Sequence, residues 1–261
     1  MEQRVLLITG GSSGIGQATA QHFAQRGWRV FEMSRHGIST EGVTHLAGDV
    51  TSLPDCQQAV AEVLTQAGQL DVLICNAGMG IAGSVEFAPD DLMHRQMEVN
   101  FFGAVHIIQS VLPHMRSRRQ GRILVVSSMA ALFGIPFQSF YSASKSALCG
   151  MTLALRNEVA PWNIRVGCLL PGDVKTGFTE ARIKHQVGEE VYARLEQAIS
   201  TMERDERGGQ SAQRLARRLY RMATSYHLSA YNYEGLNYRL FAFLYKILPT
   251  SCLNWIVGKM Y

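Results

Sequence analysis

Short apolar runs rich in Val, Ile and Leu alternate with longer helical patterns through the first 170 residues of this 261-residue chain. The alternation predicts repeated βαβ units, and therefore an α/β fold built on a doubly wound, mostly parallel sheet. Each apolar run is continuous, so helices should cover both faces of the sheet. The predicted strands are 4–8, 28–34, 43–48, 71–75, 122–127 and 164–170, and the predicted helices are 14–26, 53–67, 90–119 and 140–160.

The pattern changes after Pro171, where a charged helical region begins. Residues 176–206 predict one or two amphipathic helices, followed by a polar break at 207–210 and another helix to about residue 225. Because this insertion follows the carboxyl end of a strand, where doubly wound sheets bind ligands, we expect 176–225 to form a helical lid. The chain length is ordinary for one domain, and we expect a single domain over 1–261.

Residues 236–261 form an apolar and aromatic extension. Lys246 and Pro249 interrupt it before it reaches the ~20 residues that a membrane-spanning helix needs. We prefer to interpret it as a pair of helices that pack on the substrate cleft or form the interface of a homodimer. The alternative is an anchor for peripheral membrane contact, with Arg239, Lys246 and Lys259 at the lipid headgroups.

The formal net charge of +4 originates in the C-terminal third, since residues 181–261 hold 12 basic and 7 acidic side chains. A basic region of this kind can attract phosphates or an anionic surface. Basic and aromatic residues are not interleaved and no recognition motif is present, so no nucleic-acid partner is expected.

The five cysteines form no C-x-x-C pair and lie inside apolar segments. This usage favours buried thiols in a reducing compartment over disulfides or a metal site. The first ten residues lack the charged-then-apolar pattern of a signal peptide. We therefore expect a cytoplasmic protein without a bound metal.

The first predicted strand leads directly into a glycine-rich turn that opens a helix. Glycines let the backbone approach a pyrophosphate, and the helix N-terminus offers it unpaired N–H groups and a positive dipole. Tight turns also need glycine for steric reasons, but the position at the start of a βαβ series favours dinucleotide binding. The candidate cofactor residues of the turn are Gly10, Ser12, Ser13, Gly14, Ile15 and Gly16.

The end of the second predicted strand bears on which nicotinamide dinucleotide is bound. A carboxylate there would accept a hydrogen bond from the ribose 2′-hydroxyl and repel a 2′-phosphate. This chain has Ser34 at the strand end and Arg35 just beyond, and an arginine fork can hold a phosphate, which favours NADP(H). Arg35 can also be a solvated loop residue, and Glu32 would be the ribose carboxylate if the register were shifted by two.

Two further strand ends supply candidate cofactor contacts. Asp49 and Val50 follow the third predicted strand, where Asp49 can bond the adenine edge or act as a turn residue. Asn76, Ala77 and Gly78 follow the fourth, where small residues admit a ligand close to the backbone or simply make a turn.

A serine, a tyrosine and a lysine form the candidate chemical centre. Ser128 ends the fifth predicted strand, and Tyr141 and Lys145 lie four residues apart, on one face of the next helix. Reduction of a ketone builds negative charge on its oxygen and requires a proton donor. A lysine ammonium near the phenol would lower the pKa of Tyr141, and Ser128 would orient the carbonyl oxygen.

The order of these motifs, from the glycine-rich turn through Tyr141 and Lys145 to Pro171 and Gly172, resembles the short-chain dehydrogenase/reductase family over residues 4–225. The resemblance implies a Rossmann-type fold, a phosphate turn at Gly10, Gly14 and Gly16, and a catalytic Ser128, Tyr141 and Lys145. It further implies that Lys145 holds the nicotinamide ribose. The cofactor contacts that it implies near the nicotinamide are Pro171, Gly172, Val174 and Thr176.

The resemblance also implies that Asn100 takes part in a proton relay through water. Without the resemblance, an asparagine at this point would indicate only a kinked or capped helix. The extension 236–261 departs from the glycine-rich tail of many family members, so the usual tetramer is not expected. We expect a homodimer instead.

Two functions of different classes are compatible with this pattern. The first is hydride transfer between NADP(H) and a secondary alcohol or ketone of apolar, steroid-like or lipid-like character. Its apolar character is suggested by residues that flank the motifs, namely Met79, Met129, Phe133, Phe137 and Phe178. The alternative is an NADPH-sensing binding protein that acts through its basic, apolar C-terminal tail.

Overall fold

The structure is a computed structural model that describes residues 3–261. Its eleven strands are β1 (Val5–Thr9), β2 (Arg29–Ser34), β3 (Val43–Ala47), β4 (Val72–Cys75), β5 (Ile81–Ala82), β6 (Gly121–Val126), β7 (Ile164–Leu170), β8 (Val174–Lys175), β9 (Ile183–Lys184), β10 (Gln210–Ser211) and β11 (Tyr231–Tyr233). Its ten α-helices are α1 (Gly14–Ala24), α2 (Leu53–Ala67), α3 (Asp90–Met97), α4 (Gly103–Arg118), α5 (Ser139–Glu158), α6 (Phe178–Ala181), α7 (Leu195–Arg207), α8 (Ala212–Thr224), α9 (Leu236–Ile247) and α10 (Thr250–Met260).

Seven strands form one parallel sheet in the order β11-β7-β6-β4-β1-β2-β3. The order reverses between β1 and β4, which is the crevice where a doubly wound sheet binds its ligand. The α/β fold and all six predicted strands are confirmed, with ends that differ by a residue or two. The seventh strand of this sheet, β11, has no sequence signal of its own, because Tyr-Asn-Tyr lacks an apolar run. It becomes a strand by pairing with β7.

Helices cover both faces of this sheet. On one face α1 and α8 pack together, and the Phe23 ring lies 5.1 Å from the Tyr220 ring. The opposite face carries α2, α4 and α5, with Val63, Ile107 and Leu148 in its core. The predicted helix 90–119 is divided into α3 and α4 by a π-helical turn at Glu98–Phe102.

The predicted lid 176–225 is wrong in its last part, because α8 belongs to the helix layer against α1. Its buried side chains are spaced along one face, and Leu219 and Met222 join the core beneath α1. The segment before it, with α6 and α7, crosses the carboxyl ends of the strands instead. Two short strand pairs, β8 with β10 and β5 with β9, hold this segment in place.

The extension beyond β11 folds as the expected pair of helices, α9 and α10. Ala242, Leu253 and Val257 are its buried apolar residues. Across residues 3–261, no helix is both long enough and apolar enough to cross a membrane.

Candidate active site

A cavity of about 450 Å³ lies at the carboxyl ends of the central strands. Gly10 follows β1, Asn76 follows β4, Ser127 follows β6 and Pro171 follows β7, and all four residues line the cavity. The position agrees with the rule that open parallel sheets bind ligands beyond their carboxyl ends.

The glycine-rich turn forms the floor of one end of this cavity. Gly10 and Gly14 adopt left-handed backbone conformations with φ of 66° and 53°. A Cβ on Gly16 would lie 2.0 Å from the Gly10 carbonyl oxygen, so the helix can pack against the turn only with glycine there. The Ser13 side chain does not cap α1, which leaves its first N–H groups facing the cavity for a pyrophosphate.

Asn76 braces this turn against β4. Its side-chain amide donates to the carbonyl oxygens of Thr9 and Gly10, both at 3.1 Å. The backbone N–H groups of Asn76 and Ala77 donate in turn to the Thr9 hydroxyl. These bonds fix the shape of the turn, so the dinucleotide cradle is preformed.

The cavity contains most of the residues proposed from the sequence, but not all. Those in its wall are Gly10, Ser13, Gly14, Ile15, Asn76, Ala77, Gly78, Ser128, Tyr141, Lys145, Pro171, Gly172, Val174 and Thr176. Those outside it are Ser12, Gly16, Ser34, Arg35, Asp49, Val50 and Asn100. Four of these lie at or just beyond the ends of β2 and β3, toward the edge of the sheet beyond the cavity, namely Ser34, Arg35, Asp49 and Val50.

At the end of β2, the register is the predicted one, with Ser34 as the last strand residue. The Glu32 carboxylate is buried, contacts the His45 ring and accepts a hydrogen bond from the Ser34 hydroxyl at 3.3 Å. The shift by two residues that would make Glu32 the ribose carboxylate is therefore not seen. Arg35 is exposed, and no acidic side chain among residues 3–261 forms an ion pair with it.

At the end of β3, Asp49 behaves as a turn residue. Its carboxylate accepts hydrogen bonds from the Thr51 backbone N–H and hydroxyl, both at 2.9 Å. Val50 is buried, and its carbonyl oxygen accepts from the His106 ring. The turn interpretation accounts for these contacts, while contact with adenine stays a prediction.

The structure brings Tyr141, Ser128 and Lys145 together in the cavity wall. Ser128 stands just beyond β6, close enough to Tyr141 to affect its pKa, and caps a short helical turn by accepting from the Ala130 N–H at 3.1 Å. The Lys145 ammonium lies 5.7 Å from the centre of the Tyr141 ring and donates to the Val126 carbonyl at 3.1 Å.

Burial dominates the acid–base properties of this group. It raises the pKa of Tyr141 to about 12, an effect that the neighbouring Ser128 hydroxyl opposes. Burial also lowers the pKa of Lys145 to about 8. Contrary to the expectation, Lys145 does not lower the pKa of Tyr141 here, because burial of the phenol sets the direction of the shift.

Asn100 is buried within the π-helical turn between α3 and α4. Its amide donates to the Met79 carbonyl and to the Ser144 hydroxyl, both at 3.0 Å, and its oxygen accepts from the Met79 N–H at 2.8 Å. The side chain thus ties the loop after β4 to α5. Local π-helical turns occur often at functional sites. This one is the helix distortion that an asparagine at position 100 indicates in the sequence.

Sequence reasoning missed two carboxylates that line the cavity, Asp173 and Glu206. Asp173 follows Pro171-Gly172, and its N–H donates to the Tyr238 hydroxyl at 3.0 Å, while that hydroxyl donates to the Asp173 carboxylate at 3.1 Å. Burial, with Glu206 and Asp205 nearby, raises the pKa of Asp173. No local sequence signal joins Asp173 to a tyrosine 65 residues away.

Glu206 comes from the end of α7. It accepts a hydrogen bond from the Thr179 hydroxyl at 2.7 Å and forms an ion pair with the buried Arg182. The Arg182 guanidinium lies over the Phe178 ring, whose centre is 5.9 Å from the Tyr141 ring. The segment that contains α6 and α7 therefore packs directly against Tyr141.

The remaining wall of the cavity is apolar. Of the flanking residues proposed from the sequence, Met129, Phe133 and Phe178 line the cavity, whereas Met79 and Phe137 do not. Phe137 packs instead on Tyr192. The helices α9 and α10 complete the wall with Tyr238, Phe241, Leu253, Ile256, Val257, Met260 and Tyr261.

A family model described as short chain dehydrogenase matches residues 4–187. The chain belongs to the short-chain dehydrogenase/reductase family. It is 43% identical over 213 residues to a 3-ketodihydrosphingosine reductase of Bacteroides thetaiotaomicron, which covers 80% of this chain and 79% of that protein. It is 37% identical over 196 residues to retinol dehydrogenase 8 of Homo sapiens, with coverage of 70% and 63%. The chain is therefore an oxidoreductase.

Solved structures of this fold contain either nicotinamide cofactor. A short-chain dehydrogenase from Burkholderia cenocepacia in complex with NADP superposes with a TM-score of 0.79 at 23% identity, covering 98% of each chain. A Burkholderia phymatum family member in complex with NAD superposes with a TM-score of 0.82 at 21% identity, covering 93% of this chain and 92% of that one. These likenesses establish the fold and leave the choice between NAD and NADP to the residues of this chain.

Proposed function

We propose that this oxidoreductase transfers hydride between NADP(H) and the carbonyl or secondary alcohol carbon of a long, apolar substrate. The observation that carries the proposal is the meeting of the Tyr141 and Ser128 side chains in a cavity whose other wall is apolar. A hydrogen-bonding pair in an apolar cavity orients a single oxygen and leaves the rest of the ligand to shape and burial.

The nicotinamide dinucleotide supplies the hydride when it is bound. In this proposal the preformed turn between β1 and α1 binds its pyrophosphate. Its nicotinamide end is held by residues that line the same cavity, namely Pro171, Gly172, Val174 and Thr176. Lys145, whose ammonium faces the same cavity, holds the ribose in this proposal. In this proposal a proton relay to solvent passes Asn100 and Lys145. The amide oxygen of Asn100 and the ammonium of Lys145 both lie beside Gly78, 3.3 Å and 3.5 Å from the position that its Cβ would take.

During reduction, Ser128 donates a hydrogen bond to the ketone oxygen and Tyr141 transfers its proton to that oxygen. A phenol with a pKa of about 12 remains neutral at physiological pH, which is the form that donates.

NADPH is the preferred cofactor in this proposal. Arg35 is exposed and free of an ion-pair partner among the described residues, and the nearby carboxylate of Glu32 is buried against His45. An arginine without a carboxylate at the end of β2 attracts a 2′-phosphate.

One of the two carboxylates in the cavity, Asp173, supports a substrate with a cationic group beside its carbonyl. Glu206 is compensated by Arg182, but Asp173 has no ion-pair partner within residues 3–261. The 3-ketodihydrosphingosine named for the relative is a long-chain ketone with a neighbouring amino group. We assign this class of substrate to the chain, with the ammonium at Asp173 and the alkyl chain along α9 and α10.

The test measures NADPH oxidation by the purified protein with 3-ketodihydrosphingosine and with a ketone of equal chain length that lacks the amino group. We expect kcat/KM to be about tenfold or more higher for the amino ketone, and Asp173→Asn to abolish most of that preference. Asp91→Asn, at an exposed position on α3, is the matched control.

Equal kcat/KM for the two ketones would refute the assigned substrate class. Binding of NADPH without turnover of any apolar ketone would refute the enzyme itself and favour the alternative of an NADPH-sensing protein.

A further inference from the structure

The helix α9 has an unpartnered apolar face. Leu236, Leu240, Phe243 and Ile247 follow one another at spacings of four, three and four residues and so lie on one side of the helix. Their side chains are between 55% and 81% exposed. The opposite side of α9 carries the buried Ala242.

The next helix, α10, likewise has a buried side and an exposed side. Leu253 and Val257 are buried and line the cavity, whereas Trp255 is 65% exposed. Ile256 and Met260 are also exposed and yet belong to the cavity wall. They therefore stand at the mouth of the cavity, where the substrate site meets the exposed apolar surface.

We call the exposed side chains of these two helices the apolar face; its members are Leu236, Leu240, Phe243, Ile247, Trp255, Ile256 and Met260. Its four members on α9 form an exposed apolar row along one side of that helix, which is unusual in a protein that has no partner for it.

The charges carried by α9 and α10 have a single sign. Residues 236–261 contain no Asp or Glu, and Arg239, Lys246 and Lys259 are all exposed. A second copy of this chain would bring the same three cations against them. An anionic lipid surface complements both the cations and the apolar side chains, and tryptophan prefers the boundary between headgroups and acyl chains.

From this arrangement we infer that the apolar face docks on the surface of an anionic bilayer. Trp255 and the outer side of α9 enter the boundary between headgroups and acyl chains, and the three cations meet lipid phosphates. The cavity mouth at Ile256 and Met260 then opens toward the lipid. On the proposed function, a long-chain substrate passes from the bilayer to Tyr141 without crossing water.

Vesicle binding by the full chain tests this inference independently of turnover. The protein is sedimented with vesicles of phosphatidylcholine alone and with vesicles that contain about 30 mol % phosphatidylglycerol. We expect at least about tenfold stronger binding to the anionic vesicles, weakened by added salt. Tryptophan emission should shift to shorter wavelength on binding, and Trp255→Phe should abolish the shift, since the buried Trp28 and the partly buried Trp162 lie outside α9 and α10.

The decisive variants are Phe243→Glu and Lys246→Glu, both at exposed positions outside the cavity wall. Each should weaken binding to anionic vesicles by about tenfold or more, while turnover of a short, water-soluble ketone stays at the wild-type rate. Val187→Glu places the same charge at an exposed apolar residue away from these helices. It should bind vesicles like the wild type.

Three results would overturn the inference. The first is an absence of wild-type binding to anionic vesicles. The second is equal binding by the wild type and both variants. The third is concentration-dependent self-association in light scattering that Phe243→Glu abolishes, which would make the apolar face an interface between two copies. Loss of ketone turnover with intact vesicle binding would instead contradict the proposed function and leave docking standing.

Discussion

The Lys145 ammonium donates to the Val126 carbonyl at 3.1 Å and lies 5.7 Å from the centre of the Tyr141 ring. The lysine is thus anchored to the end of β6 as well as placed on the same helix face as the tyrosine. Both groups are shifted toward their neutral forms, because burial penalises the phenolate and the ammonium alike. At physiological pH the Tyr141 phenol is therefore protonated, as donation of a proton requires.

Replacement of Tyr141 by phenylalanine removes the proposed proton donor and little else. We expect kcat for ketone reduction to fall by about 10²–10⁴-fold, while the affinity for NADPH, measured by its fluorescence, stays near that of the wild type. Tyr220→Phe, in the helix layer against α1, is the control for loss of a phenol elsewhere. Undiminished kcat in Tyr141→Phe would refute the assignment.

Replacement of Lys145 by methionine tests the cost of burying this ammonium. The folded-state pKa of about 8 lies below the value of about 10.4 in an unfolded chain, so the folded state binds the proton less tightly. The buried Lys145 therefore destabilises the folded state fully below about pH 8, and this destabilisation is relieved as the pH rises toward 10.

The stability advantage of Lys145→Met over the wild type should therefore shrink by roughly 2 kcal/mol between about pH 7 and about pH 9.5. Chemical denaturation of both proteins at the two pH values measures the difference. The exposed Lys175→Met should show no such dependence. A constant difference in stability would mean that the Lys145 ammonium is not desolvated. Whatever the stability result, Lys145→Met should lose ketone turnover.

Replacement of Arg35 by alanine tests the choice of cofactor. We expect KM for NADPH to rise by about tenfold or more and KM for NADH to change little, because NADH lacks the 2′-phosphate. Arg95→Ala, which removes an exposed arginine from α3, should leave both values unaltered. A parallel rise for both cofactors would show that Arg35 does not discriminate between them.

Gly172, in the cavity wall, packs directly against Tyr238 of α9. A Cβ there would lie 1.9 Å from a carbon of the Tyr238 ring, so Gly172→Ala should destabilise the fold by about 1–3 kcal/mol. Combining it with Tyr238→Leu should recover part of that loss. Gly177→Ala adds a Cβ in open space and should cost little by comparison. Equal thermal stability of the two alanine variants would contradict this packing.

Much of the fold could be predicted because its elements carry strong local signals. The buried strands are continuous apolar runs, and the turn after β1 has the glycines that its left-handed backbone requires. The helix α8 was assigned to a lid because its amphipathic pattern does not say which surface covers its apolar side. That surface is α1, and the choice depends on the layer left uncovered by the rest of the chain.

The candidate site was predictable to the same extent. Tyr141 and Lys145 share a face because helical geometry places residues four apart together, and strand ends meet at one edge of a parallel sheet. The pairing of Asp173 with Tyr238 was not predictable, since neither residue has a local partner and their contact forms only when α9 returns over the cavity.

By itself, the sequence determined the parallel sheet, the dinucleotide turn and the order of Ser128, Tyr141 and Lys145, because each follows from periodicity or spacing within a few residues. Only the tertiary structure decided how deeply Tyr141 and Lys145 are desolvated, and so the direction in which each pKa moves. It also decided that α9 and α10 close the cavity with one side and expose an apolar face with the other. Burial is a property of the packed layers, and no short stretch of residues encodes it.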